Sequence, residues 1–289
     1  MNKEIKGYLM LLLASVIWGF AFAAQSAGMD HVGPFTFTAL RSYLGAAVLI
    51  PVMMILDPHC SNKVWIKGGL ACGVCLSIAM TLQQVGLVTT SAGKSGFLTA
   101  LYILFVPLIS IFLKKRIHTY AKIGVVTALA GFYFLCMKES LTIAYGDAVL
   151  ILSALVFAVH ILVIDAYSPK TSGIRMSIVQ FFAAGTVNLV LMLLFEQPEA
   201  ASIMKASSSI AYAGILSSGV GYTLQIVGQK HTKPTQASLV MSLESVFSVL
   251  AGWLILHERL TLKEGFGCVL IFAAIIIAQL PDRKEQHGA

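Results

Sequence analysis

Ten apolar runs, separated by short polar gaps, divide this 289-residue chain. A membrane-spanning helix needs roughly 20 apolar residues, whereas barrel strands need about ten residues of alternating polarity. The runs therefore predict an all-α membrane protein with ten transmembrane helices. Their predicted bounds are Gly7–Gln25, Thr36–Leu56, Trp65–Val85, Gly93–Leu113, Tyr120–Met137, Gly146–Ile164, Ser172–Phe195, Ser208–Val227, Thr235–Leu256 and Glu264–Leu280.

Composition supports the same class of protein. Hydrophobic residues make up 57% of the chain and charged residues only 11%, whereas soluble domains carry about 25% charged residues. The net charge of +7 comes from Lys and Arg in the gaps between apolar runs, not from one basic face. We therefore expect a lipid bilayer, and no nucleic acid, as the partner of this chain.

The chain contains a duplicated unit. Thr-Leu-Gln-x-Val-Gly occurs at positions 81–86 and again at positions 223–228. The segment from Gly7 to Trp18 likewise parallels the one from Gly146 to Phe157, at nearly the same offset along the chain. These parallels predict two five-helix repeats, at residues 6–137 and 146–280, followed by a short cytoplasmic tail at 281–289.

The distribution of positive charge predicts the orientation of the spans. With the amino terminus in the cytoplasm, the inner segments hold fourteen of the 20 Lys and Arg residues and the outer segments hold four. Cytoplasmic loops are enriched in Lys and Arg, so both termini are expected in the cytoplasm and the protein in the plasma (inner) membrane. Because five spans is an odd number, the second repeat has inverted topology. Inverted repeats are typical of secondary transporters.

Several motifs, in this order and spacing, resemble a known family. They are Trp18-Gly19, the segment Gly93–Thr99 leading to Val106-Pro107, the segment Leu243–Phe247, and the segment Leu256–Thr261. Over nearly its whole length the chain resembles EamA-type members of the drug/metabolite transporter superfamily. Ser245 stands where that family usually has proline, which leaves open whether the ninth span has the kink that the resemblance implies.

The resemblance implies a function and a site. Members of that family move small organic solutes, often amino acids or related metabolites and frequently outward. They do so by alternating access, around a cavity lined by the first, third, fourth, sixth, eighth and ninth spans. We therefore expect a secondary exporter with a small-molecule substrate. A membrane-embedded enzyme and a channel or sensor without carrier activity are the alternatives, and the oligomeric state, monomer or homodimer, stays open.

Ionisable residues at membrane depth are candidate site residues because they are costly to bury there. Glu244 lies near the middle of the ninth span, where it can bind an amino group, carry a coupling proton or link two helices. Its counterpart in the first repeat is Tyr102, which predicts that both face the centre. His160 is either a proton relay or a hydrogen-bonded residue of the bundle. Lys94 either attracts a substrate carboxylate or reaches the headgroups. Arg41 is interpreted as an interfacial or structural charge.

Two further pairs occupy equivalent places in the repeats. Gln83 and Gln225 can donate and accept hydrogen bonds, which suits binding of a polar solute but also clamping of neighbouring helices. Trp18 and Phe157 can form an aromatic wall of the cavity or simply pack in the core.

The absence of several catalytic and nucleotide-binding motifs argues against other functions. The sequence has no phosphate-binding loop and neither the His-Glu-x-x-His nor the Gly-x-Ser-x-Gly motif, so it predicts no built-in ATPase and no hydrolase. The five cysteines lie mostly inside apolar runs and are interpreted as small hydrophobic residues. We expect no enzyme activity, no metal and no cofactor.

Overall fold

The computed structural model describes residues 3–57, 59, 62–112, 119–136 and 143–277, and this part of the chain is helical throughout, without strands. The first half contains α1 (Lys3–Met29), α2 (Pro34–Leu56), α3 (Val64–Leu87), α4 (Ala92–Thr99), α5 (Tyr102–Phe112) and α6 (Thr119–Cys136). The second half contains α7 (Tyr145–Tyr167), a 3-10 turn (Ser168–Lys170), α8 (Gly173–Phe195), α9 (Ala200–Lys205), α10 (Ser207–Ala211), a π-helical segment (Tyr212–Gly221), α11 (Tyr222–Gln229), α12 (Pro234–Met241), α13 (Glu244–Leu256) and α14 (Leu262–Ile277).

Eight helical segments of the described chain are long and apolar enough to cross a bilayer. They are Lys3–Met29, Pro34–Leu56, Val64–Leu87, Ala92–Ser110, Tyr145–Lys170, Gly173–Phe195, Ser207–Gln229 and Pro234–Leu256. The fifth and tenth predicted spans correspond to α6 and α14, which pack against each other with the Phe134 and Phe266 ring centroids 5.0 Å apart. The all-α prediction is confirmed. The predicted count of ten stays a prediction, since Met137, the last residues of the tenth span and the tail at 281–289 lie outside the described residues.

Large apolar side chains lie on the outside of the bundle. Leu193, Trp253 and Val74 are 71%, 60% and 58% exposed, whereas Gln180, Asn188 and His160 are fully buried. This arrangement reverses that of a soluble protein, because lipid solvates apolar side chains and leaves polar ones to find partners inside the protein.

Two spans are interrupted at their middle. One break separates α4 from α5 at Ala100 and Leu101, and the other separates α12 from α13 at Ser242 and Leu243. At both breaks, backbone hydrogen bonds join residues three apart instead of four, as in a 3-10 helix. Examples are Leu101 N to Leu98 O (3.3 Å) and Leu243 N to Val240 O (3.3 Å). The two breaks occupy the same place relative to the duplicated Thr-Leu-Gln-x-Val-Gly motif. The second break occurs although no proline is present.

The two halves pack against each other in a reciprocal way. The amino-terminal end of α1 lies against the end of α11, where a Cβ on Gly7 would be 2.9 Å from the Gly228 carbonyl oxygen. The end of α3 lies in the same manner against the start of α7, where a Cβ on Gly86 would be 2.9 Å from the Gly146 carbonyl oxygen. In both pairs the helices run antiparallel, and the glycines allow the backbones to approach closely.

The second spans of the two halves, α2 and α8, are joined to each other by a carboxylate at each of their ends. Glu196, which follows α8, accepts hydrogen bonds from the Phe35 and Thr36 amides at the start of α2 (2.9 and 2.8 Å). Asp57, which follows α2, accepts hydrogen bonds from the Ser172 hydroxyl and from Arg175 Nε (3.1 Å) at the start of α8. Because each carboxylate directly follows the second span of its half, the two occupy equivalent positions in the repeats. Each satisfies free donors and complements the positive end of a helix.

Replacing Glu196 with alanine is expected to destabilise the protein by about 2 kcal/mol, because two helix-terminal amides and the Thr36 hydroxyl lose a charged acceptor. The measurement is the thermal denaturation temperature of the purified protein in detergent. Glu199→Ala is the control, since Glu199 is exposed and its side chain makes no capping hydrogen bond to α9. Equal denaturation temperatures for the two variants would contradict this assignment.

Candidate functional site

A cavity lies where the two halves meet, and both interrupted spans border it. Its free volume, including the space that opens to solvent, is about 420 Å³. The lining residues are Trp18, Ala21, Phe22, Gln25, Arg41, Gln83, Thr99, Tyr102, Phe157, Ile161, Ser217, Tyr222, Gln225, Met241 and Glu244.

Tyr102 and Glu244 begin the second halves of the two interrupted spans, α5 and α13. Each is only 4% exposed. The amino-terminal end of a helix carries partial positive charge, so a carboxylate at this place is electrostatically favoured. The Tyr102 hydroxyl lies next to the Glu244 carboxyl group, close enough to interact with it, but neither this hydroxyl nor Glu244 Oε1 forms a hydrogen bond of regular geometry. Both polar tips lie in the cavity wall.

Arg41 is the positive charge of the cavity. Its guanidinium donates to Gln25 Oε1, to Ser218 Oγ (3.3 Å) and to Ser217 Oγ (3.2 Å). The side chain is 2% exposed, and no carboxylate of the described residues pairs with it. Arg41 thus lies in the cavity wall as a buried charge.

The two equivalent glutamines, Gln83 and Gln225, both line the cavity. Gln83 Nε2 donates to Thr99 Oγ1 (3.2 Å), which ties α3 to α4. Gln225 Oε1, by contrast, has no hydrogen-bond partner although the residue is 2% exposed. Gln225 therefore offers an unused acceptor to a solute, whereas Gln83 also holds two helices together.

Aromatic rings form a large part of the wall. Trp18 Nε1 donates to the Ser217 carbonyl (3.3 Å), and the Trp18 and Tyr222 ring centroids are 4.7 Å apart. This arrangement requires Gly221, because a Cβ there would lie 2.7 Å from Trp18 Nε1. Phe157, the counterpart of Trp18 in the second half, lies on the wall formed by α7.

His160 lies behind the cavity wall. Its side chain is fully buried, Nε2 is 3.1 Å from Gln180 Oε1, and the imidazole contacts the Tyr222 ring edge-on with centroids 6.1 Å apart. It can affect the cavity through this contact with Tyr222, which lines the cavity.

Lys94 lies away from the cavity, at the start of α4. Its ammonium forms a salt bridge of 2.8 Å with Asp147 at the start of α7, and Asp147 also accepts a hydrogen bond from Thr90 (3.3 Å). Glu258, which follows α13, accepts from the Ala92 and Gly93 amides (2.7 and 3.0 Å). These contacts fasten the start of α4 to the second half at one end of the bundle.

Sequence reasoning missed part of this wall. Gln25, Ser217 and Tyr222 belong to it, and so does Arg41, which was interpreted as an interfacial or structural charge and not as a wall residue. The sequence did contain an indication that Arg41 lies in the wall. An arginine well inside an apolar helix costs free energy unless its charge faces the interior of the bundle. The described residues contain no group of three His, Cys, Asp or Glu side chains able to hold a metal ion. The chemistry of the cavity is thus that of a polar, two-charge binding pocket.

Comparisons with known proteins agree with this picture. Residues 5–137 and residues 144–279 each match the EamA-like transporter family. The chain is 29% identical to an uncharacterized transporter of Archaeoglobus fulgidus, over 96% of this chain and 87% of that protein. It is 26% identical to the uncharacterized transporter YoaV of Bacillus subtilis, over 94% of this chain and 96% of that protein.

A solved crystal structure has the same fold, with a TM-score of 0.69 and 19% identity, covering 97% of this chain and 98% of that one. At this identity the likeness concerns the fold alone. The two family matches together cover most of the sequence, one in each half. This multi-pass membrane protein belongs to the EamA-like transporter family.

Proposed function

We propose that this protein is a secondary transporter that moves a small organic metabolite through the central cavity by alternating access, as an exporter. The observation that carries the proposal is a cavity between the two halves whose walls hold polar atoms without protein partners, among them Glu244 Oε1 and Gln225 Oε1. An unsatisfied buried polar group is costly, so such atoms favour a site that a polar solute fills.

The packing of the halves supports alternating access. The α1–α11 and α3–α7 contacts are equivalent, antiparallel and rich in glycine, so either pair can separate while the other holds. In the present conformation the turn between α3 and α4 is fastened by the Lys94–Asp147 salt bridge and by Glu258. In the proposed orientation this is the outer end of the bundle. The counterpart turn, at residues 230–233, has no ion pair among the described residues. At the inner end the halves are joined instead by the Arg175–Asp57 salt bridge (3.1 Å).

Counterflow in proteoliposomes tests the transport proposal. Vesicles containing the purified protein are loaded with one unlabelled solute and diluted into its radiolabelled form, using a panel of amino acids, amines, nucleosides and sugars. A carrier is expected to accumulate label transiently for at least one solute. Ion currents far above carrier turnover would indicate a channel, and binding without exchange would indicate a sensor. Either result would overturn the proposal.

The proposed inverted topology, with both termini in the cytoplasm, predicts opposite sides for two equivalent turns. Ser91 and Lys230 are both exposed. In a cysteine-free chain, Ser91→Cys is expected to react with a membrane-impermeant maleimide in intact cells, whereas Lys230→Cys reacts only after permeabilisation. Labelling of both from the same side would exclude inverted repeats.

The cavity is expected to be reached by water-soluble reagents during the transport cycle. Thr99→Cys in the cysteine-free chain should react with a small hydrophilic thiol reagent, and a transported solute should slow that reaction. Ser153→Cys is the matched control, because Ser153 is fully buried between α3 and α7, where its hydroxyl donates to the Ala79 carbonyl (2.8 Å). If both cysteines react equally, the cavity is not the solute route.

Glu244 is proposed to carry the coupling proton, since it is the carboxylic acid among the residues that line the cavity. Glu244→Gln is expected to abolish proton movement that accompanies solute flux, measured with a pH-sensitive dye inside proteoliposomes. The exposed Glu199 provides the control variant Glu199→Gln, which should retain that movement. Unchanged proton movement in Glu244→Gln would exclude this role.

A further inference from the structure

A second buried amide lies on α11, one helical turn beyond the cavity residue Gln225. Gln229 is 2% exposed, its Nε2 donates to the Ile161 carbonyl oxygen of α7 (3.4 Å), and its Oε1 has no partner in the described part of the chain. Residues four apart lie on the same helical face, about 6 Å apart along the axis. Because Ile161 itself lines the cavity, Gln229 and Ile161 border it on the side of the Gly7–Gly228 contact. This pair is named the inner neck, since that end faces the cytoplasm in the proposed orientation.

The residues equivalent to the inner neck are apolar in the first half. When the duplicated segments are aligned, Leu87 corresponds to Gln229 and Phe22 corresponds to Ile161. Phe22 lines the cavity and belongs to an apolar cluster at the opposite end, here named the outer seal. The outer seal consists of Phe22, Leu87, Ala92 and Leu256.

Packing alone does not explain an amide at position 229. A leucine fills the equivalent place at position 87, and a leucine leaves no polar atom to satisfy. A buried amide whose acceptor stays unpaired costs free energy. Gln229 therefore serves something other than the packing of α11 against α7.

The free acceptor of Gln84, in the first half, does not make the two ends alike. Gln84 neighbours the cavity residue Gln83 in the sequence, and its Nε2 donates to the Gln25 carbonyl oxygen of α1 (3.4 Å). Its counterpart in the second half is Ile226 and not Gln229. Gln84 thus ties α3 to α1 at the level of the cavity, and the outer seal beyond it is apolar.

We propose that Gln229 is a second solute-binding residue, which makes the inner neck a hydrogen-bonding passage between the cavity and the cytoplasm. Its free Oε1 accepts a hydrogen bond from an ammonium, amide or hydroxyl group of a solute, and its Nε2 donates to the solute instead of to Ile161. Gln225 offers the next free acceptor, one turn further in. This inference rests on the proposed function and orientation, and it assigns a residue to the path rather than to the cavity.

The outer seal offers a polar solute no such contact. A polar group that enters an apolar passage loses its water without gaining a partner, which is unfavourable. Apolar constrictions exclude water in the same way and thereby act as gates. Hydrogen-bonding solutes therefore reach the cavity more readily from the cytoplasm than from outside, which suits an exporter.

The experiment measures how fast a thiol reagent reaches the cavity from each side. The full-length cysteine-free chain carries Thr99→Cys as the reporter, in membrane vesicles of either orientation, with free cysteine on the far side to consume reagent that crosses the bilayer. The reagents are aminoethyl methanethiosulfonate, whose ammonium donates hydrogen bonds, and its trimethylammonium derivative, which has no donor. Both are cations, so the change in their rate ratio isolates hydrogen bonding.

Gln229→Leu is expected to slow the aminoethyl reagent about tenfold from the inner side and to change the rate of the trimethylammonium reagent less than about twofold, because only the first loses a hydrogen bond. Gln84→Leu is the matched control, since it also removes a buried amide, and both rates should stay unchanged. An equal loss for both reagents in Gln229→Leu, or no loss, overturns the proposal.

The converse exchange tests the outer seal independently. Leu87→Gln is expected to speed the aminoethyl reagent from the outer side about tenfold more than the trimethylammonium reagent, because it places an amide where the outer seal has none. If Gln229→Leu does not fold, this variant decides, and unchanged rates from the outer side overturn the proposal.

The outcomes separate this inference from the transport proposal. Reaction of the Thr99→Cys chain with rates that neither exchange alters, together with counterflow of a solute, sustains the carrier and overturns the inner neck. Selective loss in Gln229→Leu without counterflow of any solute sustains the inner neck and overturns the carrier. A Thr99→Cys chain that reacts no faster than the Ser153→Cys control overturns both.

Discussion

The structure depends on one constraint: hydrocarbon offers no hydrogen bonds, so every polar group at membrane depth needs a partner inside the protein. Backbone groups are satisfied by helices, and several buried hydroxyls donate to the carbonyl one turn back, as Ser42 does to Thr38 (2.7 Å) and Ser110 to Val106 (2.8 Å). Ten buried polar atoms of the described residues have no partner, and three of them, on Tyr102, Gln225 and Glu244, belong to residues that line the cavity. We propose that these three take part in binding the solute.

The duplication supplies the frame of the site, and departures from it supply the chemistry. Equivalent residues in the two halves build the frame, among them Gln83 with Gln225 and Asp57 with Glu196. The positions that differ carry the charges: Glu244 corresponds to Tyr102, and Arg41 to Gln180. A strictly symmetric pocket would place like charges opposite each other, which repel. The asymmetry instead places one cation and one anion around a single cavity.

The ends of the bundle are asymmetric as well. Beside α4, the Lys94–Asp147 salt bridge and the Glu258 cap join the two halves. The Glu258 cap depends on His257, whose left-handed backbone (φ 55°) turns the chain at the end of α13. Such a conformation is unfavourable for a residue with a side chain, so the contacts of Glu258 offset a local cost.

The sequence by itself determined the helical class, the duplicated unit and the depth of several wall residues. Apolar run lengths and the repeat offset depend only on the order of residues, which is why Tyr102 and Glu244 were predicted to face the centre and why Trp18 and Phe157 were candidates for an aromatic wall. The tertiary structure decided what each polar group meets. Lys94 pairs with Asp147 of the other half, and Arg41 turns into the cavity toward Ser217 and Ser218. Such partners depend on how each helix is rotated against its neighbours, and packing between helices sets that rotation.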